Sequence, residues 1–280
     1  MENIQTTTIS AARIKLLQVL NFVFFIIMVA LNGLANGLPI NGKTTGELSN
    51  KYPNLFVPAG ITFSIWGVIY SLLLCFSIYQ FKSFLSKKPE PHLALILNAI
   101  GFLFIINASL NALWIISWHY EILPLSLVIM IGILISLVKI NLHLRAVQPY
   151  ITGWVRFFVK GSFGAYLGWI CIATIANVTA ILVANGILLE EISGQSWASI
   201  MILTGTFIAF LLTIKLRNSY LALAVIWALV GIIIARTQDF IYYKYIVYSA
   251  ALGIIMMVVA ILMSSTLVLF TRKKELIEVK

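Results

Sequence analysis

Charge is scarce in this sequence. Asp, Glu, Lys and Arg make up 10% of 280 residues, and only 9 residues are acidic. A soluble chain of this length needs far more polar surface, so a soluble globular fold is excluded. Cysteine is also scarce. Cys75 and Cys171 both fall inside apolar runs, and neither neighbours a His or acid at ligand spacing. They are read as packing residues, silent on redox compartment. Walker A, GxGxxG and HExxH patterns are missing, which excludes nucleotide-driven transport by this chain alone and zincin-type hydrolysis. His92, His119 and His143 lie near the ends of apolar runs and are read as solvated or interfacial.

The centres of the apolar runs carry no acid or base. Glu121, Glu190, Glu191 and Asp239 fall in loops or at their edges, and Lys139 and Arg236 sit near ends, where long side chains snorkel. Intramembrane charges mark proton and ion relays, so proton-coupled pumping lacks its usual carriers. No lysine stands mid-run to hold a retinal Schiff base. Sodium coupling through backbone carbonyls of broken helices stays open. No catalytic residue, metal site or cofactor is expected.

What the chain has is apolar length. Hydrophobic residues make up 61%, with a mean hydropathy of +1.02. A run of about 20 apolar residues crosses the ~30 Å hydrocarbon core as a helix. Eight such runs occur, at roughly 16–35, 60–81, 93–117, 122–142, 161–188, 197–214, 220–235 and 245–270. The fold class is therefore all-α, a polytopic helical membrane protein. The ~10-residue alternation of a transmembrane barrel is absent. The first run is read as a retained span, because it exceeds the 7–15 residues of a signal h-region.

The net charge of +10 is a topology signal rather than a nucleic-acid footprint. With the N-terminus inside, all of the 19 Lys and Arg residues except Lys43, Lys51, Arg236 and Lys244 fall on the inner side. That is the positive-inside bias, and eight spans put both termini in the cytoplasm of a plasma-membrane protein. The basic side can also meet anionic lipid. No nucleic-acid partner is expected.

Three runs place large aromatics and polar residues on one helical face. Phe63, Trp66 and Tyr70 follow a Pro58-Ala59-Gly60 step at spacings of i, i+3 and i+7. Asn107, Asn111, Trp114 and Trp118 repeat the device, as do Tyr166, Trp169, Ala173 and Asn177. Two readings stay open: helix packing through small and amide residues, or a ligand pocket. Trp118 is assigned to the interfacial belt, because its run ends there. Trp66 lies about 10 Å into its span at 1.5 Å per residue, too deep for a belt residue. A Trp at that depth needs an N–H partner. The loop 36–58, "NGLPINGKTTGELSNKYPNLFVP", is long for a connector and is read as a lid.

These residues resemble the TspO/MBR family, the tryptophan-rich sensory or translocator proteins, whose members have five spans and a first loop folded over a pocket. Pro58, Phe63 and Trp66-Gly67-Val68-Ile69-Tyr70 match its second-span element. Leu110-Asn111-Ala112-Leu113-Trp114 matches the third, and Tyr166-Leu167-Gly168-Trp169 through Ala173-Thr174 to Asn177 matches the fifth. The resemblance covers about residues 15–188. It implies a TspO-like five-helix bundle over 1–190 and three additional spans over 191–280. It also implies a sensor or receptor for an apolar planar ligand such as a porphyrin. The ligand-binding set would be Phe63, Trp66, Tyr70, Asn111, Trp114, Tyr166, Trp169, Ala173 and Asn177, with Asn111 as the polar orientation point. Some members are reported to degrade porphyrins with help from pocket tryptophans. Ile61 stands in place of one such tryptophan, and no enzyme activity is expected. The family's sterol motif after the fifth-span Asn is absent here. The alternative is a secondary transporter or permease for a small molecule. The last three spans are open to use as a homodimer face, a partner bundle or a pocket extension. Trp197, Trp227 and the "DFIYYKYIVY" run are read as interfacial anchors.

Overall fold

Ser10 starts the first membrane helix: its hydroxyl accepts the backbone N–H of Arg13 at 3.2 Å, satisfying one orphan donor of α1, Ala11–Gly37. The computed structural model describes residues 10–85, 90–151, 153–187 and 193–278. After α1 the chain makes a tight turn at Asn41 and Gly42, with φ of 54° and 73°, and then the short helix α2, Thr45–Lys51. A capping box fixes α2. The Thr44 hydroxyl accepts from Glu47 N at 3.3 Å, and the Glu47 carboxylate accepts from Thr44 N at 2.7 Å.

The spanning helices follow. They are α3 Ile65–Tyr79, α4 Pro91–Ile100, α5 Leu103–His119, α6 Leu123–Val147, α7 Gly153–Ala184, α8 Gly194–Leu216, α9 Ser219–Arg236 and α10 Phe240–Glu278. Tight helical turns extend α3 to a 24-residue span, Gly60–Ser83. Among the described residues, seven spans are long and apolar enough to cross a membrane as single helices, and the bent pair α4–α5, taken as one span, makes an eighth. The count of eight read from hydropathy is therefore met, and the protein is an integral membrane protein. The third span differs from its expected form. It is broken between α4 and α5 with a 49° bend. Gly101 takes φ +53° there while its N–H still closes onto Leu97 O at 2.8 Å. Only glycine enters that region at low cost, so the helix stops and restarts at this point.

α7 lies at the centre, packed by α3, α6 and α9. Its Gly164 and Gly168 form a small-xxx-small face that lets α9 approach closely. A Cβ on Gly168 would sit 2.3 Å from Leu221 O, and one on Gly164 would sit 2.5 Å from the Asn218 amide. Asn218 uses that space. It donates to Asn141 Oδ1 and to Lys160 O, both at 3.0 Å, while its own Oδ1 caps α9 by accepting from Tyr220 N at 3.2 Å. α8 and α10 then pack on α9 as an outer layer. Exposed apolar side chains such as Val128, Ile135 and Leu211 cover the lipid-facing side.

Candidate ligand site

The lid is held from below by the end of α5. His119 is fully buried; its Nδ1 lies 3.0 Å from Ile40 O and its Nε2 lies 3.1 Å from the Thr45 hydroxyl. Asn41 Nδ2 donates to His119 O at 3.1 Å. The reading of His119 as solvated or interfacial is thus corrected: it pins the lid. Glu121, at the α5–α6 corner, gathers Lys43 at 3.2 Å, Lys51, and the Tyr52 hydroxyl at 2.8 Å. These hydrogen bonds, from Lys51 first and then Tyr52, hold the Glu121 carboxyl down at about 2. Burial and then the Glu121 hydrogen bond push the Tyr52 hydroxyl up to about 12, so it stays a donor. Leu48 and Phe56 are the lid's own fully buried apolar side chains.

α9 holds the other edge of the lid. Ala59 N donates to Gly231 O at 3.0 Å, and Trp227 Nε1 donates to Thr62 O at 2.8 Å. Arg236 donates from Nε to Leu55 O at 3.2 Å, and from Nη2 to Asn54 O at 3.3 Å and Val57 O at 3.2 Å. Trp227 is therefore a tie to the start of α3 and not merely an interfacial anchor. No sequence pattern pointed to these contacts.

Beneath the lid lies a cavity of about 60 Å³. α3 contributes Phe63 and Trp66, α5 contributes Trp114 and Trp118, and α7 contributes Trp169, Ala173 and Asn177. The rings pack in two groups, Phe63 and Trp66 on Trp169, and Trp114 on Trp118. Phe63 meets Trp169 edge-on at 5.7 Å, Trp66 meets Trp169 at 6.3 Å, and Trp114 stacks on Trp118 at 5.9 Å. Ala173, Ala176 and Ala180 give the α7 wall its low relief. Lid residues Thr45, Ser49, Asn54, Val57 and Pro58 close the top.

Six of the nine residues singled out in the sequence line this cavity: Phe63, Trp66, Trp114, Trp169, Ala173 and Asn177. Tyr70, Asn111 and Tyr166 do not. Each stands one turn further from the lid than Trp66, Trp114 or Trp169 on its own helix. Asn111 is not a free orientation point. Its Oδ1 accepts from Asn32 Nδ2 at 2.7 Å and its Nδ2 donates to the Tyr166 hydroxyl at 2.7 Å. Together with Tyr70, stacked on Trp66 at 5.3 Å, these residues form the layer beneath the cavity's lining. Trp118 is 6% exposed and lines the cavity, so its assignment to a belt is corrected. Its i, i+4 spacing from Trp114 was the available signal. Ile61, at the altered tryptophan position, is 64% exposed and points away from the lining.

Three lining residues keep an unused donor. The Trp114 and Trp118 indole N–H groups and the Asn177 amide nitrogen are buried without partners among the described residues. The Asn177 oxygen accepts from Ser126 at 3.2 Å. Unpaired buried donors are costly, and a ligand bearing acceptor atoms relieves that cost.

Fold and site together define a polytopic helical membrane protein with a lid-covered aromatic cavity. The chain belongs to the TSPO-like protein family, whose model matches residues 18–263. That match runs past the motif-bearing helices, through α8 and α9 and into α10. No curated protein and no solved structure matches the chain.

Proposed function

We propose that this protein is a membrane sensor or receptor that binds an apolar planar ligand, such as a porphyrin, in the aromatic cavity beneath the 36–58 lid. The observation that carries the reading is the conjunction, around one space beneath the lid, of five aromatic rings from α3, α5 and α7 with three lining residues that keep an unpaired donor. Flat apolar ligands stack on such rings, and their ring nitrogens or carboxylates accept from the donors. The cavity holds about 60 Å³, room for a few water molecules. Small-molecule pockets run to about 300–1,000 Å³. In this reading the structure is a closed state, and ligand entry requires the lid and rings to move apart. The hydrogen-bonded layer of Asn32, Asn111 and Tyr166 favours a receptor over a permease.

In this reading the chain is not an enzyme. It lies in the plasma membrane with both termini cytoplasmic, and α8–α10 are a module added to the five-helix bundle that offers a homodimer face. Membrane lipid surrounds it, and nucleic acid is no partner. The test is protoporphyrin titration into purified protein, read by the Soret band. A saturable shift of about one ligand per chain supports the reading. A shift that grows linearly with micelle concentration overturns it.

A further inference from the structure

On the far side of the lid from the aromatic cavity lies a larger recess of about 690 Å³, bounded by the lid and the outer ends of α8 and α9. Its volume falls in the range of small-molecule sites. The two spaces share Ser49, Asn54, Val57 and Pro58, so the lid is a common wall. Leu55, Val57, Pro58, Val183 and Ala235 supply apolar surface. Arg236 supplies the donor.

We propose that this recess is a second binding site, for an amphipathic acid: a carboxylate on a compact apolar body. Arg236 sits on its wall. Three neutral carbonyls of the lid occupy its Nε and Nη2, and no hydrogen bond to Nη1 occurs among the described residues. The ring of Tyr243 lies 5.6 Å from the guanidinium carbon. Among the described residues, the ion pairs join Lys43 and Lys51 to Glu121 and Lys82 to Glu90, and none involves Arg236. Glu190 and Glu191 lie outside the described residues. A guanidinium is a donor only. The complement is an acceptor of negative charge, and with Nε and Nη2 held by the lid it would take a single charge-assisted hydrogen bond from Nη1. The apolar walls select against small hydrophilic anions, which have nothing to bury there. The acid reaches the recess either as a free solute or as the head of an anionic lipid.

The test uses the full chain in phosphatidylcholine nanodiscs with radiolabelled 1-naphthaleneacetate, compared with the uncharged 1-naphthaleneethanol. The acid should bind saturably and at least tenfold more tightly than the alcohol, a comparison that needs no variant. Arg236→Gln should weaken acid binding at least tenfold, and Arg236→Lys less. Equal binding of acid and alcohol, no saturable acid binding, or full acid affinity in Arg236→Gln would overturn the proposal. Competition by added oleate, an anionic lipid whose head is a carboxylate, would identify a lipid head as the source. Its absence would identify a free acid, and the site stands in either case. Protoporphyrin binding is scored separately, so this proposal and the aromatic-cavity reading can fail independently.

Discussion

Replacing Glu121 with Gln should loosen the lid without disturbing the bundle beneath it. The carboxylate collects three donors from the lid: Lys43, Lys51 and Tyr52. An amide keeps the shape, loses the charge and has one acceptor atom instead of two. The gap between an ordinary carboxyl value of 4.5 and about 2 would be worth about 3 kcal/mol at 1.36 kcal/mol per unit. The Lys43 and Lys51 side chains are 42% and 48% exposed, so solvent screening reduces this to about 1–2 kcal/mol. A loss of that size multiplies the open population of the lid by about 5–30. Amide hydrogen exchange over 45–52 should accelerate by that factor in Glu121→Gln, while the interior of α6 exchanges as before. The pH dependence has a defined sign. A carboxyl lowered in the folded state contributes fully above about 4.5 and loses its contribution as pH falls from there towards about 2. The clamp should therefore be indifferent to pH between about 5 and 7. Exchange over 45–52 that is unchanged by the substitution, or a wild-type lid that loosens between pH 7 and 5 through this carboxyl, would refute the reasoning.

Gly168→Ala places a methyl carbon 2.3 Å from a backbone oxygen of α9, which no rotamer change can relieve. A cost of about 1–3 kcal/mol is expected, read as a lower thermal midpoint in detergent, with Gly67→Ala nearly neutral because nothing lies near its Cβ. Asn111→Ala removes one of the two acceptors of Asn32 Nδ2, leaving Met28 O, and removes a partner of the Tyr166 hydroxyl, all of them buried. A loss of about 1–3 kcal/mol should appear in the same assay, and Asn111→Asp should be no milder, since it introduces a charge at a buried site.

Most of the span architecture was legible because hydropathy reports the cost of polar groups in hydrocarbon. The break at Gly101 was not. A glycine inside an apolar run does not announce a positive φ, and Phe102 keeps the run apolar across the bend. In the site, helical spacing placed Phe63, Trp66, Trp114, Trp169, Ala173 and Asn177 on the walls. The same spacing could not say which turn faces the cavity and which lies under it, so Asn111 and Tyr166 look identical in sequence to wall residues. Trp118 misled because an aromatic at a span end fits a belt equally well. His119 misled for the opposite reason: a boundary histidine is ordinarily wet, and here the lid folds over it. The clasp of α9 on the lid left no local trace, since Arg236 and Trp227 meet partners far away in the chain through backbone carbonyls that any sequence supplies.

Protoporphyrin quenching of tryptophan fluorescence, corrected for inner-filter absorption, tests the central claim most directly when wild type and Trp169→Phe are titrated side by side. Trp169 touches both Phe63 and Trp66 across the cavity. The account predicts saturable quenching in the wild type and an affinity at least several-fold weaker in the variant. Quenching that is linear, or saturable but identical in the two proteins, would contradict a ligand seated among these rings.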